Sequence, residues 1–358
     1  MATGAGVLLT TAALLCLQGC ANVGYYWQSA TGHLQMLAAA RPVDAWLDDE
    51  DAPVRLKERL ALSQRIRQFA VTEMGLPDNP SYRRYADLRR AAAVWNVVAA
   101  PAFSLKLKTW CFPVAGCVGY RGYFDEEQAR ALASELEAQG YEASVYPVPA
   151  YSTLGWMNWA GGDPLLSTFI NYPEGELARL LFHELAHQVL YVKDDTMFNE
   201  SFATAVERLG IERWLATQAP ASARADYVQF DARRSQFRAL TRSTRERLQQ
   251  VYEAPGSTLS LEERSARKAA VLRDFRERYA SMRAGWSGDP ARFRNYDRWV
   301  ARANNATFGA QAAYDDLVPG FEALFLRESG DWSRFYEAAR DLAGMTRAQR
   351  HQALKEIR

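Results

Sequence analysis

The chain has 358 residues, 48% hydrophobic and 24% charged, the balance of a globular protein of one or two domains. Its 43 basic and 42 acidic side chains leave a formal charge of +1. That argues against the footprint of a nucleic-acid binder, which needs a basic excess or a basic face.

In chain order, residues 1–19 carry no charge and are dominated by Ala, Leu and Val. The apolar run is too short to span a bilayer and reads as a signal segment, although it lacks the usual positive start. An ordinary apolar helix is the alternative. The stretch LQGC, ending at Cys20, resembles a bacterial lipobox. On that reading Cys20 is the first mature residue and carries lipid, so the membrane is a partner through its anchor. Ala21 follows where Asp would retain the lipoprotein on the inner membrane, so an outer-membrane location facing the periplasm is expected.

Residues 25–40 read as a helix, and charged helical segments follow to about Glu73. The stretch GLPDNPSY at 75–82 is a break. Short strands and loops are expected over 95–123. The acidic first turn, helical spacing and final Gly of FDEEQARALASELEAQG predict a helix over 124–140. YEASVYPV at 141–148 alternates like a strand. Residues 177–191 are apolar on most faces and predict a buried helix. Asp195 or Thr196 can cap a second helix through Leu215. A long helical hairpin is expected over 222–285, broken at EAPGSTLS, and further helices over 296–358.

Four cysteines support export. Cys16 leaves with the signal and Cys20 is lipidated, which leaves Cys111 and Cys117 at C-x5-C. A small-loop disulfide is expected in an oxidising compartment, two free buried thiols being the alternative. No further Cys remains to complete a Cys-based metal site.

Within LLFHELAHQVLYV, the segment HELAH fits the zinc-helix pattern H-E-x-x-H. Residues four apart share a helix face, so His183 and His187 can meet one tetrahedral ion. Glu184 then reaches the open side, where it can take a proton from an activated water and pass it to a leaving amine. A catalytic zinc needs a third ligand. The other two histidines, His33 and His351, read as surface or satisfied helix residues. Glu200 lies 13 positions after His187 in FNESFATAVE, with Asp194 and Asp195 as rival ligands. Glu207 sits seven residues further on the same face, either orienting a ligand His or lying on the surface.

HELAH followed by NESFA resembles the gluzincin metallopeptidases, with Asn199, Glu200, Phe202 and Ala203 matching their second motif and Ser201 standing where Gly is usual. With KTWCFPVAGCVGYRGYFDE and PAYSTLGW, the mature chain is similar to a family of predicted aminopeptidases among proteobacterial lipoproteins. The resemblance implies one Zn2+ held by His183, His187 and Glu200, Glu184 as general base, and a peptide substrate. The connector before Glu200 is shorter than is common among gluzincins. The segment GWMN at 155–158 echoes the strand that binds the substrate amine in gluzincin aminopeptidases, but without its Glu. It forms either a cleft wall or an ordinary loop. A Tyr is expected to stabilise the oxyanion: Tyr314, with Tyr123, Tyr151 and Tyr191 competing.

The expected fold is α-rich α+β and zincin-like. Residues 20–358 form one composite domain: a small sheet within about 95–173 beside zinc helices at 177–217, then the hairpin and C-terminal helices. The expected function is that of a periplasmic zinc aminopeptidase. Alternatives are an endopeptidase, a cell-wall amidase, and a structural or chaperone lipoprotein with an inert zinc.

Overall fold

The computed structural model describes residues 23–112, 116–253, 259–312 and 316–357. The signal segment, Cys20 and Tyr314 therefore lie outside the described residues.

The protein is α-rich with small sheets, an α+β arrangement. Helix α1 spans residues 23–39. Next come β1 (Arg41–Pro42), α2 (Val43–Leu47), α3 (Val54–Met74), β2 (Arg84–Ala86) and β3 (Val94–Pro101). A ribbon of β4 (Trp110–Phe112) and β5 (Gly116–Val118) leads to β6 (Arg121–Tyr123), α4 (Glu126–Ala138) and β7 (Tyr141–Val148). Strand β8 (Leu165–Leu166) precedes α5 (Glu174–Ala186) and α6 (Thr196–Thr217). The hairpin consists of α7 (Ala221–Glu253) and α8 (Leu261–Ala284). The chain ends in α9 (Arg294–Ala301), α10 (Asn305–Ala312), α11 (Val318–Arg327), α12 (Trp332–Ala343) and α13 (Arg347–Glu356).

The main sheet has the order β6-β3-β7, antiparallel throughout, with Val94 opposite Val148 and Pro101 opposite Tyr141. A second small sheet, β1-β2-β8, draws in residues 41–42 and 84–86, outside the region where strands are expected from sequence. Two- and three-residue strands carry too little alternation to be read from pattern alone. The strand expected over 141–148 is β7. In α4, Asp125 caps the helix by accepting from the Gln128 amide at 2.9 Å.

The largest core lies between α3, α5, α6, α11 and α12. Gly210 permits close helix approach here: a Cβ at that position would sit 2.2 Å from Met74 Cε and 3.0 Å from the Phe182 ring. Aromatic side chains fill the rest, with Phe202 packed on Phe321 and Phe335. The hairpin has its own apolar seam around Phe237, Leu248 and Phe275.

Candidate active site

Helix α5 starts after Pro173, with Glu174 and Glu176 complementing the positive helix start. It ends at Ala186 with His187 as its C-cap, five residues before the end expected from sequence. Gln188 turns away, accepting from Asn79 Nδ2 at 2.7 Å and donating to Ser81 Oγ at 3.2 Å. These bonds satisfy a polar side chain that an apolar helix would otherwise strand, and they let the chain reverse. Asn199 then grips the connector: its Oδ1 accepts from Val192 N at 2.7 Å and its Nδ2 donates to Val192 O at 2.8 Å. Asp195 caps α6 by accepting from Phe198 N at 3.3 Å.

This reversal sets Glu200 of α6 against the two α5 histidines. His183 Nε2 lies 3.2 Å from His187 Nε2 and 3.3 Å from Glu200 Oε2, and His187 Nε2 lies 3.7 Å from the same oxygen. Bonds of about 2.0–2.1 Å to a tetrahedral ion place its ligand atoms roughly 3.3 Å apart. The three donors fit such an ion, and no other group of three His, Cys, Asp or Glu among the described residues converges in this way.

Of the rival ligands, Asp195 points elsewhere. It is fully buried, accepting from Arg350 Nε at 2.7 Å and lying 2.9 Å from His351 Nε2. Asp194 is also engaged elsewhere, its Oδ1 accepting from Cys117 N at 2.5 Å. Gly116 is required at that contact. Its φ is +74, and a Cβ would lie 2.5 Å from Asp194 Oδ1. Cys111 and Cys117 form a disulfide across the β4–β5 ribbon.

Glu207 lies beneath the site, not on the surface. Its Oε2 is 3.2 Å from His183 Nδ1, in ion-pair range but off a straight hydrogen-bond line, and Arg179 pairs with its other oxygen. This contact favours a proton on His183 Nδ1 and turns Nε2 to the site. His187 Nδ1 is buried without a hydrogen-bond partner among the described residues.

Electrostatics follow from that packing. Burial alone would lower the pKa of His183, but Glu200 and Glu207 outweigh it and push it up to about 10. Burial draws His187 down to about 4. Burial would raise Glu207, yet Arg179 and His183 hold it at about 2. Burial pushes Glu184 up to about 7, with His183 opposing. Glu184 makes no hydrogen bond or ion pair among the described residues and opens into the cleft. A carboxyl poised near neutrality can both accept and return a proton.

The cleft runs between α5, the main sheet, the β4–β5 ribbon and α1. Tyr151 and Tyr191 line it, whereas Tyr123 belongs to the sheet core. Sequence reasoning missed Tyr120. This phenol lines the cleft, and its pKa is raised first by burial and then by the charges of Glu200 and Glu184. The loop holding GWMN also contributes. Asp163 is fully buried and accepts from Thr153 N at 3.1 Å and Thr153 Oγ1 at 2.8 Å, which pins Ser152 and Leu154 at the cleft edge. Of the two remaining histidines, His351 is satisfied by Asp195, but His33 is buried with neither ring nitrogen partnered among the described residues.

A family model described as "Putative aminopeptidase" matches residues 24–354. No curated protein and no solved structure matches the chain significantly.

Proposed function

The chain belongs to the family described as "Putative aminopeptidase", and from that premise we propose that it is a zincin-like, gluzincin-type zinc metallopeptidase that removes residues from the amino end of peptides. One observation carries the reading: His183, His187 and Glu200 converge at the spacing of metal ligands while Glu184 stands free beside them. His183, His187 and Glu200 would hold the ion, with Glu207, itself paired to Arg179, fixing the His183 ring. When bound, zinc supplies Lewis acidity and a water of lowered pKa. Glu184 takes the proton of the attacking water and delivers it to the leaving nitrogen. Tyr120, a neutral phenol close to both carboxylates, donates to the oxygen that gains charge. Tyr25, Phe112, Phe124, Val118 and Val148 line the cleft and suit a large apolar side chain of the substrate.

Glu184→Gln tests the mechanism. The variant should keep about one equivalent of zinc yet lose turnover by about 10²–10⁴-fold. Undiminished hydrolysis would remove Glu184 from the mechanism. An inert structural zinc would give no hydrolysis even in the wild type.

A second reading is favoured by a specific observation. Among the described residues, Glu184 and Glu200 are the only acidic ones lining the cleft that holds Tyr120, and GWMN lacks the amine-binding Glu. Cleavage that ignores the free amine, as by an endopeptidase or amidase, would follow. Equal turnover of free and N-acetylated peptides selects this reading over the aminopeptidase.

A further inference from the structure

Helix α1 presents two unlike faces. Its inner face is bound into the cleft wall. The Tyr25 ring packs at 5.6 Å from Phe112 and 5.5 Å from Tyr123, and Gln28 Oε1 accepts from Phe124 N at 3.1 Å. Gly32 lies so close to Phe124 that a Cβ would meet the ring at 2.2 Å, and the His33 ring lies tilted against Tyr151 at 5.5 Å.

The outer face is apolar and open. Val23, Trp27, Ala30 and Leu34 recur at helical spacing and are all exposed, Trp27 at 71% and Leu34 at 60%. Tyr26 stands beside them at 46%. The helix end meets the loop after β7. Arg84 donates to Ala40 O and would lie 3.0 Å from a Cβ at Gly161, and the loop carries Trp156 at 66% and Trp159 at 82% exposure. Of eleven large apolar side chains exposed among the described residues, six fall on this helix and this loop. Exposed apolar surface in such a concentration marks a docking face.

The sequence indicates what covers it. No Asp, Glu, Lys or Arg occurs before Arg41. The helix itself supplies none of the charged rim that a soluble partner would normally meet, and it is flanked by cations from other elements, Arg121 over the Tyr25 ring at 4.0 Å and Arg84 at the helix end. This helix instead continues an uncharged, Ala- and Leu-rich segment, and its exposed aromatics are Trp and Tyr, the residues that favour the bilayer interface. The polar half that a free interfacial helix exposes to water is here replaced by contacts with the protein itself.

We propose that the outer face of α1 lies in the headgroup–acyl boundary of a lipid bilayer. The proposal stands apart from the catalytic reading and does not require lipid on Cys20. Tyr25 and Ser29 line the cleft from the same helix, so docking sets the cleft beside the membrane.

The test uses the full chain on phosphatidylcholine vesicles containing brominated phosphatidylcholine, a short-range quencher of tryptophan. Residues 1–22 contain no Trp, so the signal reports only on the folded part. Wild-type fluorescence should be quenched. Trp27→Phe, which keeps the face apolar, should lose part of that quenching, and Trp27→Phe, Trp156→Phe and Trp159→Phe together should lose most of it. Leu34→Glu, with an unchanged thermal transition, should reduce the quenching of Trp27. Absent quenching, or equal quenching in wild type and Trp27→Phe, overturns the proposal. So does a vesicle-free dimer broken by Leu34→Glu, which would assign the face to a second copy.

Discussion

At the scale of single residues, the proposed mechanism gives two of the site's groups separable duties. Glu207 touches a ligand ring and not the cleft opening shared with Tyr120, so it acts through His183. Glu207→Gln should weaken zinc affinity by about 10–100-fold. Tyr120→Phe should leave affinity unchanged and lower kcat by about 10²–10³-fold. Equilibrium dialysis against a zinc indicator and steady-state kinetics separate the two. Parallel losses in both variants would mean that Tyr120 only shapes the ligands. HELAH was readable from residue type and spacing because the reach of a helix turn is local, whereas Glu200 could only be nominated from the following helix until the α5–α6 reversal placed it. Tyr120 was not readable, since 17 Tyr residues offer no local mark of which one approaches Glu184. The engagement of Asp195 was equally hidden, because its partners Arg350 and His351 lie more than 150 positions away.

At the scale of elements, the α5–α6 reversal decides whether Glu200 reaches the histidines. Asp195 is its hinge pin, capping α6 and binding Arg350 and His351 with no side-chain exposure. Replacing it by Ala leaves Arg350 buried and uncompensated, at a cost of about 3–5 kcal/mol. Burial would raise the Asp195 pKa, but His351 and Arg350 outweigh it and hold it below its ordinary value of 3.8. A carboxyl depressed in the folded state contributes fully above its unfolded pKa of about 3.9 and loses that contribution as pH falls through the folded value. Urea unfolding should therefore show more stability lost across that acid range in the wild type than in Asp195→Ala. Equal pH slopes would place the acid sensitivity elsewhere. The helix pair itself was legible as two periodic segments. Its turn was not, because α5 stops at Ala186 only where Gln188 and Asn199 find partners outside the helix.

At the scale of the whole molecule, location is the open proposal, since Cys20 lies outside the described residues. No described helix is long and apolar enough to cross a membrane. With lipid on Cys20 as the main anchor, Cys20→Ser should move the chain from the membrane pellet to the washable fraction, because the outer face of α1 alone is a weaker hold than a lipid chain plus that face. Equal retention, with no lipid label on the wild type, would refute the anchor. The sequence by itself determined the helical segments long enough to show a period, the cysteine pair, and two histidines one helix turn apart with Glu184 beside the first. These follow from local geometry, where spacing along the chain is spacing in space. Only the tertiary structure decided that Glu207 lies beneath His183, that Asp195 turns away from the site, and that α1 forms one wall of the cleft while leaving its outer face bare. Those outcomes depend on contacts between distant segments, whose burial and pairing no local pattern encodes.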